Sequence, residues 1–162
     1  MLVAANKPLT TWVNVNLFQS AVVCIAVIAM CGCDQGQPAD FFAATKKAAE
    51  SGDAIAQANL GWMYQSGEGV PQDYAEAMNW FRLAADQGDA IAQANLGWMY
   101  QSGKGVPINN VEAYALFSAA AAGGYEEAVS ARDNAAKQLT PEQLSEGDKK
   151  AAELFEKTSS GE

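Results

Sequence analysis

The sequence predicts an all-α fold, a solenoid of stacked helix-turn-helix units. Three observations carry that expectation. First, Gly52–Pro71 reads GDAIAQANLGWMYQSGEGVP and Gly88–Pro107 reads GDAIAQANLGWMYQSGKGVP, so 20 residues recur at an offset of 36 with Glu68 exchanged for Lys104. Second, helix start and stop signals fall at the same places in both copies. Third, apolar residues recur at helical spacing in each copy. A period in this range marks an array in which each unit buries its apolar face against its neighbours.

Within a unit the first helix is expected over about Ala54 to Ser66. Asp53 stands where an N-cap is needed, and Gly67 follows the last periodic residue as a C-terminal stop. Gly69, Val70 and Pro71 make a turn. Asp73-x-x-Glu76 is a capping box that opens the second helix, and Asn109-x-x-Glu112 repeats it. Ala77, Trp80, Phe81, Ala84 and Ala85 then form one apolar stripe, which places Trp80 in the core. The first helix is apolar nearly all round: Ala56, Leu60, Met63 and Tyr64 on one face, Ala54, Ala58 and Gly61 on a second, Ile55, Asn59, Trp62 and Ser66 on a third. Gly61 and Gly97 sit mid-helix at a cost of about 1 kcal/mol each relative to Ala. That cost, incurred twice at one position, implies a helix backbone passing close by.

Partial units flank the two full ones. Phe41–Ser51 (FFAATKKAAES) aligns with the end of a unit, and Tyr125–Gln138 reads as the first helix of an incomplete one. Thr140-Pro141-Glu142-Gln143 is a strong helix start. Leu144, Ala151, Leu154 and Phe155 are spaced to pack inward, with Lys149, Lys150, Glu153 and Glu156 facing water, so this helix should cap the stack. Thr158–Glu162 is expected to fray.

These residues carry a family resemblance. Ala56, Leu60, Gly61, Tyr64, Gly67, Gly69, Val70, Asp73, Ala77, Trp80, Ala84, Ala85 and Gly88 fill a pattern that resembles the Sel-1-like repeat, a relative of the tetratricopeptide repeat with a slightly longer unit. The second copy fills it with Ala92, Leu96, Gly97, Tyr100, Gly103, Gly105, Val106, Ala113, Ala120, Ala121 and Gly124. It departs at Asn109 and Leu116, where the pattern has Asp and Trp. The resemblance covers about residues 41–138. It implies a right-handed α-solenoid whose first helices line the concave, ligand-binding surface, and a non-catalytic scaffold or adaptor role in protein–protein interaction. Some secreted members are linked to β-lactam binding, but they resemble a disulfide-bonded subgroup, and the repeats here hold no Cys.

Composition narrows the chemistry. The chain has 162 residues, 49% hydrophobic and 18% charged, which suits one globular domain. Its net charge of -9 gives no footprint for nucleic acid. With His at 0, imidazole acid/base chemistry, histidine-based nucleophile pairs and nearly all zinc sites are excluded, so no metal or cofactor is expected. The three Cys (Cys24, Cys31 and Cys33) all lie in the first 33 residues, which leaves no disulfide framework in the folded part.

That first segment reads as an address. Ala21–Met30 (AVVCIAVIAM) is ten apolar residues, short of the ~20 a membrane span needs, and fits the apolar region of a secretion signal. Leu17–Cys33 as an uncleaved anchor is the alternative. Met30-Cys31-Gly32-Cys33 resembles a bacterial lipobox, with Gly32 as the small residue before a lipidated Cys33; Met30 and Cys31 depart from its usual Leu and Ala or Ser. The expected organisation is a lipoprotein-type signal at 1–32, a polar tether at 33–40, repeats at 41–138 with full units 52–87 and 88–123, and the capping helix and tail at 139–162. Lipidation would hold the domain at the membrane, facing the periplasm. By resemblance to lipoprotein sorting, Asp34 favours the inner membrane. A soluble periplasmic form is the other possibility.

The candidate binding face is Ile55, Asn59 and Trp62 with Ile91, Asn95 and Trp98. Trp62 and Trp98 fall where the repeat pattern is free, so the fold does not demand them. Stepped Trp/Asn pairs could anchor an extended peptide, the indoles through buried area and the amides through its backbone; equally, the rings could fill inter-helix space. The expected partner is a protein or peptide of the cell envelope, with self-association edge to edge as another outcome. The competing class is a wall-directed carbohydrate-binding or hydrolytic module using Trp and carboxylates, such as Asp86 with Asp89 or Glu126 with Glu127, which needs no His.

Overall fold

The computed structural model describes residues 38–160; the signal, Cys33 and most of the tether lie outside them. Seven helices and no strand make up the described residues: α1 (Pro38–Glu50), α2 (Ala54–Ser66), α3 (Tyr74–Asp86), α4 (Ala90–Ser102), α5 (Asn110–Ala122), α6 (Glu127–Ala136) and α7 (Pro141–Ser160). From α2 to α6 each helix packs on the one before it. The pairs α2–α3 and α4–α5 are the two full units, α1 is the second helix of a preceding unit, and α6 is the first helix of a following one.

Local chemistry sets the helix ends. Asp53 and Asp89 each accept, through Oδ1, the backbone N–H three residues on, at 2.9 and 2.7 Å. Gly67 and Gly103 close α2 and α4 with φ of 79° and 70°, a left-handed conformation that glycine adopts without penalty. Asp73 and Asn109 cap α3 and α5, each accepting two backbone N–H groups. The reciprocal half of the expected capping box is absent. The N–H of Asp73 donates to the carbonyl of Tyr64 at 2.9 Å, and that of Asn109 to Tyr100 at 3.0 Å. Among the described residues only Thr140 and Gln143, at the start of α7, form a complete box.

The core is a column of Leu60, Met63, Phe81, Leu96, Met99 and Phe117 set among alanines. The mid-helix glycines accommodate rings, not a passing backbone as the sequence implied. A Cβ on Gly61 would stand 2.7 Å from Phe81, and one on Gly97 2.7 Å from Phe117. Trp80 is half-buried against the cluster of Ala49, Ala56 and Leu60. Successive units are also joined by buried amides: Gln57 donates to the carbonyl of Ala49 and accepts from Gln87, and Gln93 reaches Ala85.

α7 does not add a layer after α6. It lies along α5, and its C-terminal end reaches α3. Gly147 is buried beneath Tyr114, where a Cβ would stand 2.5 Å from the ring. Lys150 forms a short hydrogen-bonded ion pair with Glu112, and Lys157 pairs with Asp86 at 2.8 Å. Leu154 meets the core, while Phe155 stays half exposed. The inward stripe expected of Leu144, Ala151, Leu154 and Phe155 is therefore only partly used, and Lys150 turns towards α5. The last described residues continue as helix through Ser160 where fraying was expected.

Candidate functional site

α2 and α4 present their third face to solvent. Ile55 is 69% exposed, Ile91 53%, and Trp62 and Trp98 50% each. Single exposed apolar residues are ordinary; four large ones at matched positions on two neighbouring helices are not. Their exposure follows from the geometry of the array: each first helix turns two faces to its neighbours and leaves the third outward.

Between the two helices runs a groove of about 340 Å³, lined by Ile55, Ala58, Asn59, Trp62, Asp89, Ile91 and Asn95. Five of the six candidate residues meet there. Trp98 does not line it; its ring packs edge-on against Phe117, with centroids 5.2 Å apart and planes at 70°. One of the two matched indoles therefore supports the core, and the other wall of the groove is formed by Asp89, Ile91 and Asn95. The amides differ as well. Asn95 donates to the carbonyl of Ile91 at 3.0 Å, whereas Asn59 is exposed and has no hydrogen-bond partner among the described residues, so its amide can serve another chain.

Sequence reasoning missed Asp89 as a lining residue because its place as an N-cap accounts for it fully. A second depression, of about 390 Å³, lies between the start of α4 and the turn from α5 to α6 and shares Asp89 and Ile91 with the first; Gly123, Gly124 and Tyr125 line its far side. Of the candidate carboxylates, Asp86 accepts from Lys157 and Asp89 caps α4. Among the described residues there is no cluster of metal-ligating side chains, and no helix is long and apolar enough to cross a membrane.

Stacked helix pairs joined by short turns define an all-α repeat solenoid. The particular repeat is the Sel1 repeat, whose family model matches residues 54–89 and 90–125, so the chain carries two Sel1 repeats. Among solved structures it is similar to a protective antigen present in uropathogenic Escherichia coli strains that displays an SLR fold. That match has 30% identity and a TM-score of 0.73, and covers 89% of this chain and 32% of the antigen. A Sel1 repeat protein from Oxalobacter formigenes matches with 39% identity and a TM-score of 0.50, over 52% of this chain and 34% of that one. The chain thus spans about a third of the length of either. No curated protein matches it. Sel1-repeat proteins are generally protein–protein interaction modules of a non-catalytic, scaffold type.

Proposed function

We propose that this protein is a non-catalytic adaptor of the bacterial cell envelope, tethered through a lipid on Cys33, that holds an extended segment of a partner protein across α2 and α4. The observation that carries the reading is the groove itself. Ile55, Trp62 and Ile91 give it large apolar anchors already exposed in the unbound chain, and Asn59 offers an unengaged amide beside them. Burying anchors of this kind at the centre of an interface supplies most of the binding energy of a peptide complex, and an amide aligned with them pairs the peptide backbone. The tether reading draws on Gly32-Cys33 and the apolar run before it.

The test is cross-linking and co-purification from membranes of cells producing either the wild type or Trp62→Ala, with folding checked by circular dichroism. Defined proteins captured by the wild type and lost in the folded variant are expected. Capture that is indifferent to Trp62 would remove the groove from the function. Metabolic labelling with a fatty acid, compared with Cys33→Ser, checks the tether.

A further inference from the structure

The face that holds the groove is polarised in charge. α2 and α4 contain no charged residue at all. At the N-terminal ends of the three first helices stand Asp53, Asp89, Glu126 and Glu127, the last two in place of the Ala-Ile that opens α2 and α4. None of these four carboxylates has an ion pair among the described residues. The basic groups that do pair lie elsewhere, on α1, α6 and α7. Asp89 sits on the ridge common to the two depressions, so a chain passing from one to the other crosses it; its Oδ1 is held by the cap, and Oδ2 has no partner among the described residues. The route ends at Tyr125, adjacent in sequence to Glu126 and Glu127.

We propose that this channel selects segments of partner proteins in which a bulky apolar side chain is accompanied by Lys or Arg, the apolar group seated between Ile55, Trp62 and Ile91 and the cations at Asp89 and at Glu126–Glu127. The proposal rests on the reading of this face as a peptide site and adds the chemistry of its occupant. The spacing follows from geometry. Packed helices are about 10 Å apart, which an extended chain covers in about three residues. The two basic positions are therefore expected about that far apart, with the apolar residue next to the first. An acidic segment is repelled where it crosses α2 and α4, because no cation on either helix offsets Asp53 and Asp89.

A random peptide library displayed on phage is selected on the immobilised full-length protein. The enriched peptide is then titrated by fluorescence anisotropy against the wild type, Trp62→Ala and the neutralised variant Asp89→Asn/Glu126→Gln/Glu127→Gln. Asn caps a helix as well as Asp does, so the neutralised variant keeps its fold. The expected result is enrichment of Lys/Arg beside large apolar residues, with binding about tenfold weaker for the neutralised variant at low salt and lost for Trp62→Ala. Enriched peptides that bind the neutralised variant as tightly as the wild type, yet need Trp62, would overturn the charge inference and leave the peptide site standing. If no enriched peptide depends on Trp62, both fall.

Discussion

The ring of Phe81 occupies the space a methyl group on Gly61 would need, 2.7 Å from the ideal Cβ, and Phe117 stands in the same relation to Gly97. Both rings are fully buried and cannot retreat. Two effects then oppose each other in Gly61→Ala: helix propensity gains about 1 kcal/mol, while overpacking costs about 1–3 kcal/mol. Overpacking wins, so a net loss of about 1 kcal/mol is expected in urea unfolding. Phe81→Leu in the same chain should remove most of the Gly61→Ala penalty. A more stable Gly61→Ala variant would mean that the ring is not clamped.

Trp62 and Trp98 are identical in local sequence and equally exposed, but among the described residues only Trp98 has a ring partner, Phe117. Trp98→Ala should therefore lower the denaturation midpoint more than Trp62→Ala, by about 0.5–1.5 kcal/mol of edge-to-face contact. Equal midpoints would show that this contact contributes nothing. The same comparison makes Trp62→Ala the cleaner probe of binding.

At the start of α3 the cap is Asp73 alone. Asp73→Ala should cost about 1 kcal/mol, because two N–H groups lose their acceptor. Glu76→Ala should cost much less, since the N–H a capping box would give it is held by Tyr64. At α7 the order changes: Gln143→Ala should be felt, because Gln143 accepts from the N–H of Thr140. Thermal melts of the three variants, followed by circular dichroism, test this.

The hold of α7 on the repeats should weaken at high pH. Lys150 is raised above its ordinary 10.5, chiefly by its hydrogen bond to Glu112. Tyr114 is raised above 10.0, first by burial and then by its hydrogen bond to Asp148. In both, the folded value lies above the unfolded one. Their stabilisation is thus complete below the unfolded values and is lost as pH rises through the folded ones. Melting temperature should fall above about pH 10, and less steeply in Lys150→Met/Tyr114→Phe. The same slope in wild type and variant would place the alkaline transition elsewhere.

The site was legible to the extent that it repeats. A 36-residue offset assigns Ile55 and Ile91, Asn59 and Asn95, Trp62 and Trp98 to one face, and five of these six line the groove. What broke the symmetry was invisible in the copies themselves. Trp98 differs from Trp62 because its indole meets the ring of Phe117, although Phe81 stands in the matching place beside Gly61, and Asn95 differs from Asn59 because it turns back to Ile91. Asp89, legible in the sequence as a helix cap, joins the site because it lines the groove as well.

The linear sequence determined the helices, their caps and the repeat, because those depend on interactions within a few residues of each other: Asp53 with Ala56, Gly67 with Met63, Thr140 with Gln143. Tertiary structure alone decided what fills the space beside Gly61 and where α7 goes. An amphipathic helix with Leu154 on one face is compatible with α6 or with α5. It lies on α5 because Gly147 admits the ring of Tyr114 there, while Glu112 and Asp86 meet Lys150 and Lys157. Those contacts join residues more than 30 positions apart, a distance at which a hydrophobic pattern specifies that a face will be buried but not against what.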